Sequence, residues 1–285
     1  MKPALRINLI FIFLLVVGFI VLAQMGLYTV QQIWDIRFPI NFLQYCISAF
    51  NETTLAYNIF TFIINAIIIY TFGRMLWRFV KQIYLTRKWL GIFHSQKHIK
   101  LTKLLNAKYR KWGAKFIVVN DEKFIAMTIG LLKPQIIVSS GVIGMFSKKE
   151  VEAILLHEQY HVQNRDPLNL FLLTLLLEGM GYIPSMKTMV RSFKTWKELL
   201  ADQFAMRQMG TEYHLGNVLL KLSSVGRMQH AAAAVYFAEN AINYRIMQVL
   251  EPKQTLHIPI LNFKPLFLTL MFTFIMSSLI LGGCS

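Results

Sequence analysis

Residues 153–167 read AILLHEQYHVQNRDP, a helix-like apolar run interrupted by two histidines and a glutamate. His157 and His161 are four residues apart, so on a helix their imidazoles leave one face about a turn apart and can share one metal ion. Glu158 sits beside them. In this His-Glu-x-x-His pattern two neutral imidazole nitrogens bind zinc, and the adjacent carboxylate serves as general base toward water. Ser147 and Glu150 have the spacing of a capping box, which predicts a helix starting just after Ser147 and ending near Asp166, before Pro167.

A catalytic zinc takes a third protein ligand and keeps one position open to water. Two downstream glutamates compete for that place. Glu198, in KELLADQFAMRQMG, has Asp202 four residues on, so one helical face offers a ligand and a second carboxylate able to accept the outer N–H of a zinc-bound histidine. Glu178, in LLLEGMGY, has Tyr182 at that spacing and lies among leucines. Glu198 is therefore preferred, with Glu178 as an alternative functional residue near the active-site water.

The setting for this chemistry is a membrane. The chain has 285 residues, 55% of them hydrophobic, and a mean hydropathy of +0.46, too apolar for an ordinary soluble protein. Residues 8–28 carry no charge for 21 residues, long enough to cross a bilayer, and residues 55–72 and 265–283 read as two further spanning helices. The first is expected to be an uncleaved anchor. Of the 30 Lys and Arg, 17 fall in residues 74–166 and 10 in residues 187–264. Basic residues collect on the cytoplasmic side, so the N-terminus and the long middle are expected inside, with residues 29–54 and the C-terminal end outside. Topology thus accounts for the net charge of +16 without nucleic-acid binding.

A fourth apolar stretch, residues 168–184, cannot cross if Glu198 is to share an ion with His157. It is expected to be re-entrant or interfacial, as a helix hairpin kinked around Gly179, Gly181 and Pro184. The resulting organisation is an N-terminal membrane region at 1–80, a cytoplasmic, membrane-associated peptidase domain at 81–264 and a C-terminal transmembrane helix at 265–285. KFIVVN (115–120) and KPQIIVSS (133–140) read as strands, and FIAMTIGLL between them adds a third. The fold class is a mainly α membrane protein with a zincin-like domain and a small β-sheet. The strand around Gln135–Ser139 is the expected edge on which an extended substrate adds.

HEQYH followed by ELLAD is the arrangement of the glutamate zincins. More narrowly, GLLKPQIIVSSGVIGMFSKKEVEAILLHEQYHVQNRDPL, ELLADQFAMRQMG and FAENAINYRIMQVL resemble the membrane zinc-peptidase domain of the BlaR/MecR antirepressor family, over roughly residues 55–285. The resemblance implies His157, His161 and Glu198 as ligands of one Zn2+ per chain, Glu158 as catalytic acid/base, Asp202 as the carboxylate behind a ligand histidine, and Arg245 as a contact to a substrate carbonyl or oxyanion. It also implies proteolysis of a cytoplasmic or membrane-proximal protein, a transcriptional repressor or the chain itself among the candidates. Members of that family continue into an extracellular penicillin-binding sensor, whereas this sequence ends at Ser285 and shows no Ser-x-x-Lys acylation site outside the membrane. β-Lactam sensing is not part of the expectation.

The expected partners are therefore a protein or peptide substrate, the lipid bilayer and a second copy of the chain in a homodimer. The alternative function is a non-catalytic transducer that binds a regulator and uses zinc structurally; the presence of Glu158 argues against it, since a structural site needs no general base. His214, His230 and His257 lack ligand spacing and are expected to be structural. AAAAV at 231–235 is a packing or loop segment. Cys46 and Cys284 both fall on the outer side, where a disulfide between them is conceivable.

Overall fold

The computed structural model describes residues 3–34, 55–226, 235–251 and Phe267. The C-terminal apolar run apart from Phe267, Cys46, Cys284, His230, His257 and the alanines at 231–234 lie outside the described residues.

The two N-terminal apolar runs form helices longer than their apolar cores: α1, Pro3–Trp34, and α2, Leu55–Ser95. Both are long and apolar enough to cross a membrane, over Ile7–Trp34 and Tyr57–Ser95. The expected end of the second run at Phe72 is where apolarity stops, but the helix runs on through Arg74, Arg78, Lys81, Arg87 and Lys88, because Arg and Lys are good helix formers. The remaining helices are α3, Ile99–Lys108; α4, Ser140–Met145; α5, Lys148–Gln163; α6, Asp166–Gly179; α7, Pro184–Met209; α8, Tyr213–Gly226; and α9, Val235–Leu250. The apolar stretch at 168–184 breaks after Gly179 and restarts at Pro184, as its glycines and proline predict.

These elements form two units. In the first, made of residues 3–34, 55–81 and 172–193, Met25 and Tyr28 of α1 pack with Ile64 and Ile68 of α2. Gly179 is a close-approach position: a Cβ there would meet Met75 Cγ at 2.6 Å. Beside it Arg74 of α2 pairs with Glu178 of α6. Outward-facing Phe19, Phe62 and Ile69 are more than 70% exposed (72%, 74% and 73%), apolar surface that water disfavours and lipid accommodates.

The second unit comprises residues 82–171, 194–226 and 235–251. Strands β1, Lys115–Val119, β2, Ala126–Ile129, and β3, Gln135–Ser139, form a sheet of order β1-β3-β2. β1 runs parallel and β2 antiparallel to β3. β3 is thus hydrogen-bonded on both sides, which corrects the expectation that it offers a free edge; strand order is a tertiary property that local β-propensity does not encode. The outer edge of β1 is occupied too. Asn106 exchanges hydrogen bonds with the Phe116 backbone at 2.8 and 3.1 Å, and the Val118 N–H donates to Thr102 Oγ1 at 3.0 Å. Among the described residues β2 pairs only with β3, which leaves its other edge open. Phe116, Val118, Ile136 and Val138 bury one sheet face against Ile154 and Leu155 of α5 and Val218 of α8. α5 begins with both halves of the capping box at Ser147 and Glu150, and Lys221 of α8 holds Glu150 at 2.9 Å. Sheet, α8 and capping box together fix the axis and rotation of the histidine helix.

Candidate metal centre

His157 and His161 leave α5 one turn apart, and Glu198 reaches them from α7. One donor atom from each of the three lies within 4.8 Å of the others. His157 Nε2 and His161 Nε2 are 3.2 Å apart; Glu198 Oε2 is 3.3 Å from the first and Glu198 Oε1 3.6 Å from the second. Glu178, the competing glutamate, belongs to the other unit and is occupied by Arg74.

The outer nitrogens determine what those inner atoms are. His157 Nδ1 lies 2.8 Å from Asp202 Oδ1, and His161 Nδ1 lies 2.9 Å from Asp166 Oδ2. An ionised carboxylate only accepts, so each Nδ1 carries the hydrogen and donates. In the neutral imidazoles both Nε2 atoms are then bare lone pairs, aimed at one another and at a carboxylate. That arrangement repels itself unless a metal ion lies within it or one of the nitrogens is protonated.

Charge makes the same demand. With both imidazoles neutral, the cluster's four carboxylates, Glu158, Glu198, Asp166 and Asp202, exceed its two cations, Lys197 and Arg245, by two charges, which a divalent ion balances. Burial and the Arg245 charge act to lower the His157 pKa, but Asp202 and Glu198 outweigh them and push it up to about 10. Burial acts to raise the Glu198 pKa, yet His157, Arg245 and His161 hold that carboxyl well below the usual range. The residues present therefore fit a divalent metal, whose binding would displace a proton from His157.

Arg245, on α9, is expected from the sequence to touch substrate. It lines the cavity, but its Nε and Nη2 donate to the two oxygens of Asp202 at 2.6 and 2.8 Å, and its Nη1 lies 3.3 Å from Glu198. Its immediate work is to hold those two carboxylates. Three further residues escape the sequence reading. Asp166 supports His161; Lys197 lies 2.7 Å from the other Asp166 oxygen; Thr128 of β2 donates its hydroxyl to Glu158 Oε2 at 2.9 Å, with the Glu158 carbonyl an alternative acceptor at 3.1 Å. A Thr in an edge strand and a Lys in a mixed helix carry no local signal. Asp166 stood in view beside Pro167, but at five residues from His161 it lies off the helical spacing.

The donor atoms open onto a cavity of about 360 Å³. Ala126, Met127 and Thr128 of β2 line it, together with apolar Leu170 and Leu219. Glu158 borders the same space, so a carboxylate, three metal donors and an open strand edge surround one volume. His214, which is not among these residues, packs edge-on against Tyr213.

Comparison with known proteins places the chain in a family. The family described as BlaR1 peptidase M56 matches residues 29–249. The regulatory protein BlaR1 of Bacillus licheniformis is 31% identical over 161 residues, which make up 55% of this chain and 26% of that protein. The chain thus matches about a quarter of the length of this curated relative. A match that takes in the histidine helix, Glu198, Asp202 and Arg245 covers most of the sequence, and the chain belongs to the BlaR1 peptidase family, M56.

Proposed function

We propose that the chain is an integral-membrane zinc endopeptidase, with His157, His161 and Glu198 as metal ligands and Glu158 as the catalytic acid/base. The observation that carries this reading is the convergence of three donor atoms beside a carboxylate held by Thr128 and an open strand edge. Donors bonded at about 2.05 Å to a tetrahedral zinc lie about 3.3 Å apart, close to the separations of 3.2, 3.3 and 3.6 Å among these atoms.

When bound, zinc supplies Lewis-acid polarisation of the scissile carbonyl and of the attacking water. The protein's own residues do the rest. Asp202 and Asp166 keep the Nδ1 protons in place, so that both Nε2 atoms stay available. Arg245 holds Glu198 and Asp202. Glu158 takes a proton from the attacking water and passes it to the leaving amine, with Thr128 fixing which carboxylate oxygen faces the cavity. The substrate lies extended along β2, adding to its edge by main-chain hydrogen bonds. This moves the substrate edge from β3, where the sequence suggested it, to the strand that borders the general base.

We assign the site to the cytoplasmic side, close to the membrane surface, because 27 of the 30 Lys and Arg fall in residues 74–166 and 187–264. The substrate is then a cytoplasmic or membrane-proximal protein. The relative's description as a regulatory protein supports a role in signalling, by inactivation of a repressor or by self-cleavage. Single cysteines at Lys108 and Asn51, in a background without Cys46 and Cys284, test the orientation. In intact cells an impermeant thiol reagent is expected to label position 51 and spare 108; the reverse pattern would invert the topology.

Glu158→Gln tests the chemistry. The variant is expected to keep its zinc and to lose proteolysis by 100-fold or more, in line with the roughly 10²–10⁴-fold contributed by a positioned acid/base. Cleavage as fast as the parent's would remove Glu158 from its role.

A further inference from the structure

The two histidines are supported differently. His157 leans on Asp202, four residues beyond Glu198 on the same helix. His161 leans on Asp166, and Asp166 is held in turn by Lys197, the residue immediately before Glu198. Lys197 Nζ lies 2.7 Å from Asp166 Oδ1, and Asp166 Oδ2 lies 2.9 Å from His161 Nδ1. Both members of the ion pair are shut away from water, with side-chain exposures of 4% for Lys197 and 1% for Asp166. Lysine and aspartate are seldom buried so fully, because each gives up its hydration. Apolar residues of similar volume would fill the same space at lower cost.

The backbone adds a second sign that this contact is selected. Arg165 has φ of 51°, the left-handed region that a non-glycine residue enters only under strain. That residue lies in the turn between α5 and α6 and directs the chain so that Asp166, the first residue of α6, reaches back to His161. On α7, adjacent side chains diverge by about 100°. An anchor at Lys197 therefore sets the rotation of the helix and with it the direction of Glu198.

Resting on the reading of the centre as a metal site, we infer that Lys197 and Asp166 are positioning residues for it. Their ion pair clamps the end of the histidine helix to the helix of the third ligand, so that donors from the two helices are assembled before the ion arrives. Asp166 fixes the ring of His161 and the nitrogen that stays bare. Lys197 fixes Asp166 and presents Glu198. Neither touches substrate or the reacting atoms.

The test uses the full chain in detergent and Co2+ as the probe, with affinity read by competition against a chromophoric chelator and ligand geometry by the intensity of the visible d–d bands. The double variant Lys197→Met/Asp166→Asn removes the ion pair without leaving a buried unpaired charge. It is expected to keep the parent's helical circular dichroism, to bind Co2+ some 10–100-fold more weakly, the usual cost of losing an outer support, and to lose the intense bands of a four-coordinate site. Asp166→Glu retains both charges and shifts the acceptor by one methylene group; about tenfold weaker binding is expected. The matched double variant Arg74→Met/Glu178→Gln, in the other unit, is expected to bind Co2+ like the parent. Binding within threefold of the parent with an unchanged spectrum, in either Lys197/Asp166 variant, overturns the inference while leaving the metal site standing. A parent that binds no Co2+, or a Glu198→Ala variant that binds as tightly as the parent, overturns the metal-site reading and this inference together.

Discussion

Glu178 and Glu198 are the same residue type, 20 positions apart, each downstream of the histidine helix and each a contender for third ligand by sequence. Glu178 ends beside Arg74, in a pair whose side chains are 29% and 47% exposed. Glu198 ends beside two imidazole nitrogens, with Arg245 behind it. The difference teaches that a carboxylate becomes a candidate ligand through convergence: it must meet other donor atoms, and something must hold it there against their repulsion. Glu178 has a cation as neighbour and is satisfied by it. Glu198 has donors as neighbours and is left with charge to share.

The largest expected effect breaks that comparison directly. Glu198→Ala should weaken zinc binding by more than about 100-fold, beyond the 10–100-fold attached to an outer support, while Glu178→Ala should leave it unchanged. Chelator competition on the two purified variants measures both, and the opposite ranking would exchange the roles of the two glutamates. A smaller effect sharpens the comparison from the side of the general base. Thr128→Val preserves shape in β2 but removes the hydroxyl that Glu158 accepts. A hydrogen bond to a charged group contributes about 1.5–3 kcal/mol; at the lower end of that range kcat should fall by about 10-fold, with zinc affinity unchanged. If kcat holds and affinity falls, Thr128 supports the metal site and not the base.

Legibility in the sequence followed the range of the interactions. The histidine helix could be read because its signals are local: the Ser147–Glu150 capping box and the four-residue spacing of His157 and His161 lie within one element. Glu198 was legible for the same reason, through Asp202 on its own helix. The break after Gly179 followed from glycine and proline alone. What stayed hidden depended on tertiary neighbours. Lys197 looks like a solvated helix residue until the burial of Asp166 beside it is known. Thr128 acquires a role only because β2 pairs with β3 on the side facing Glu158. The mistaken choice of β3 as the open edge has the same origin: its Ile136, Ile137 and Val138 mark it as a strand, and a strand buried on both faces is often central, but only the pairing of β1 and β2 on either side shows it. The length of α2 was misjudged because the apolar run was read as the helix, although its basic continuation keeps helical propensity.

The central claim is that His157, His161 and Glu198 form a zinc site. Elemental analysis of the full-length chain, purified in detergent without chelators or added metal, tests it most directly. The account predicts about one zinc per chain in the parent and in Glu158→Gln, and little in His157→Ala. Less than about half an equivalent in the parent, or an equal content in His157→Ala, would contradict it.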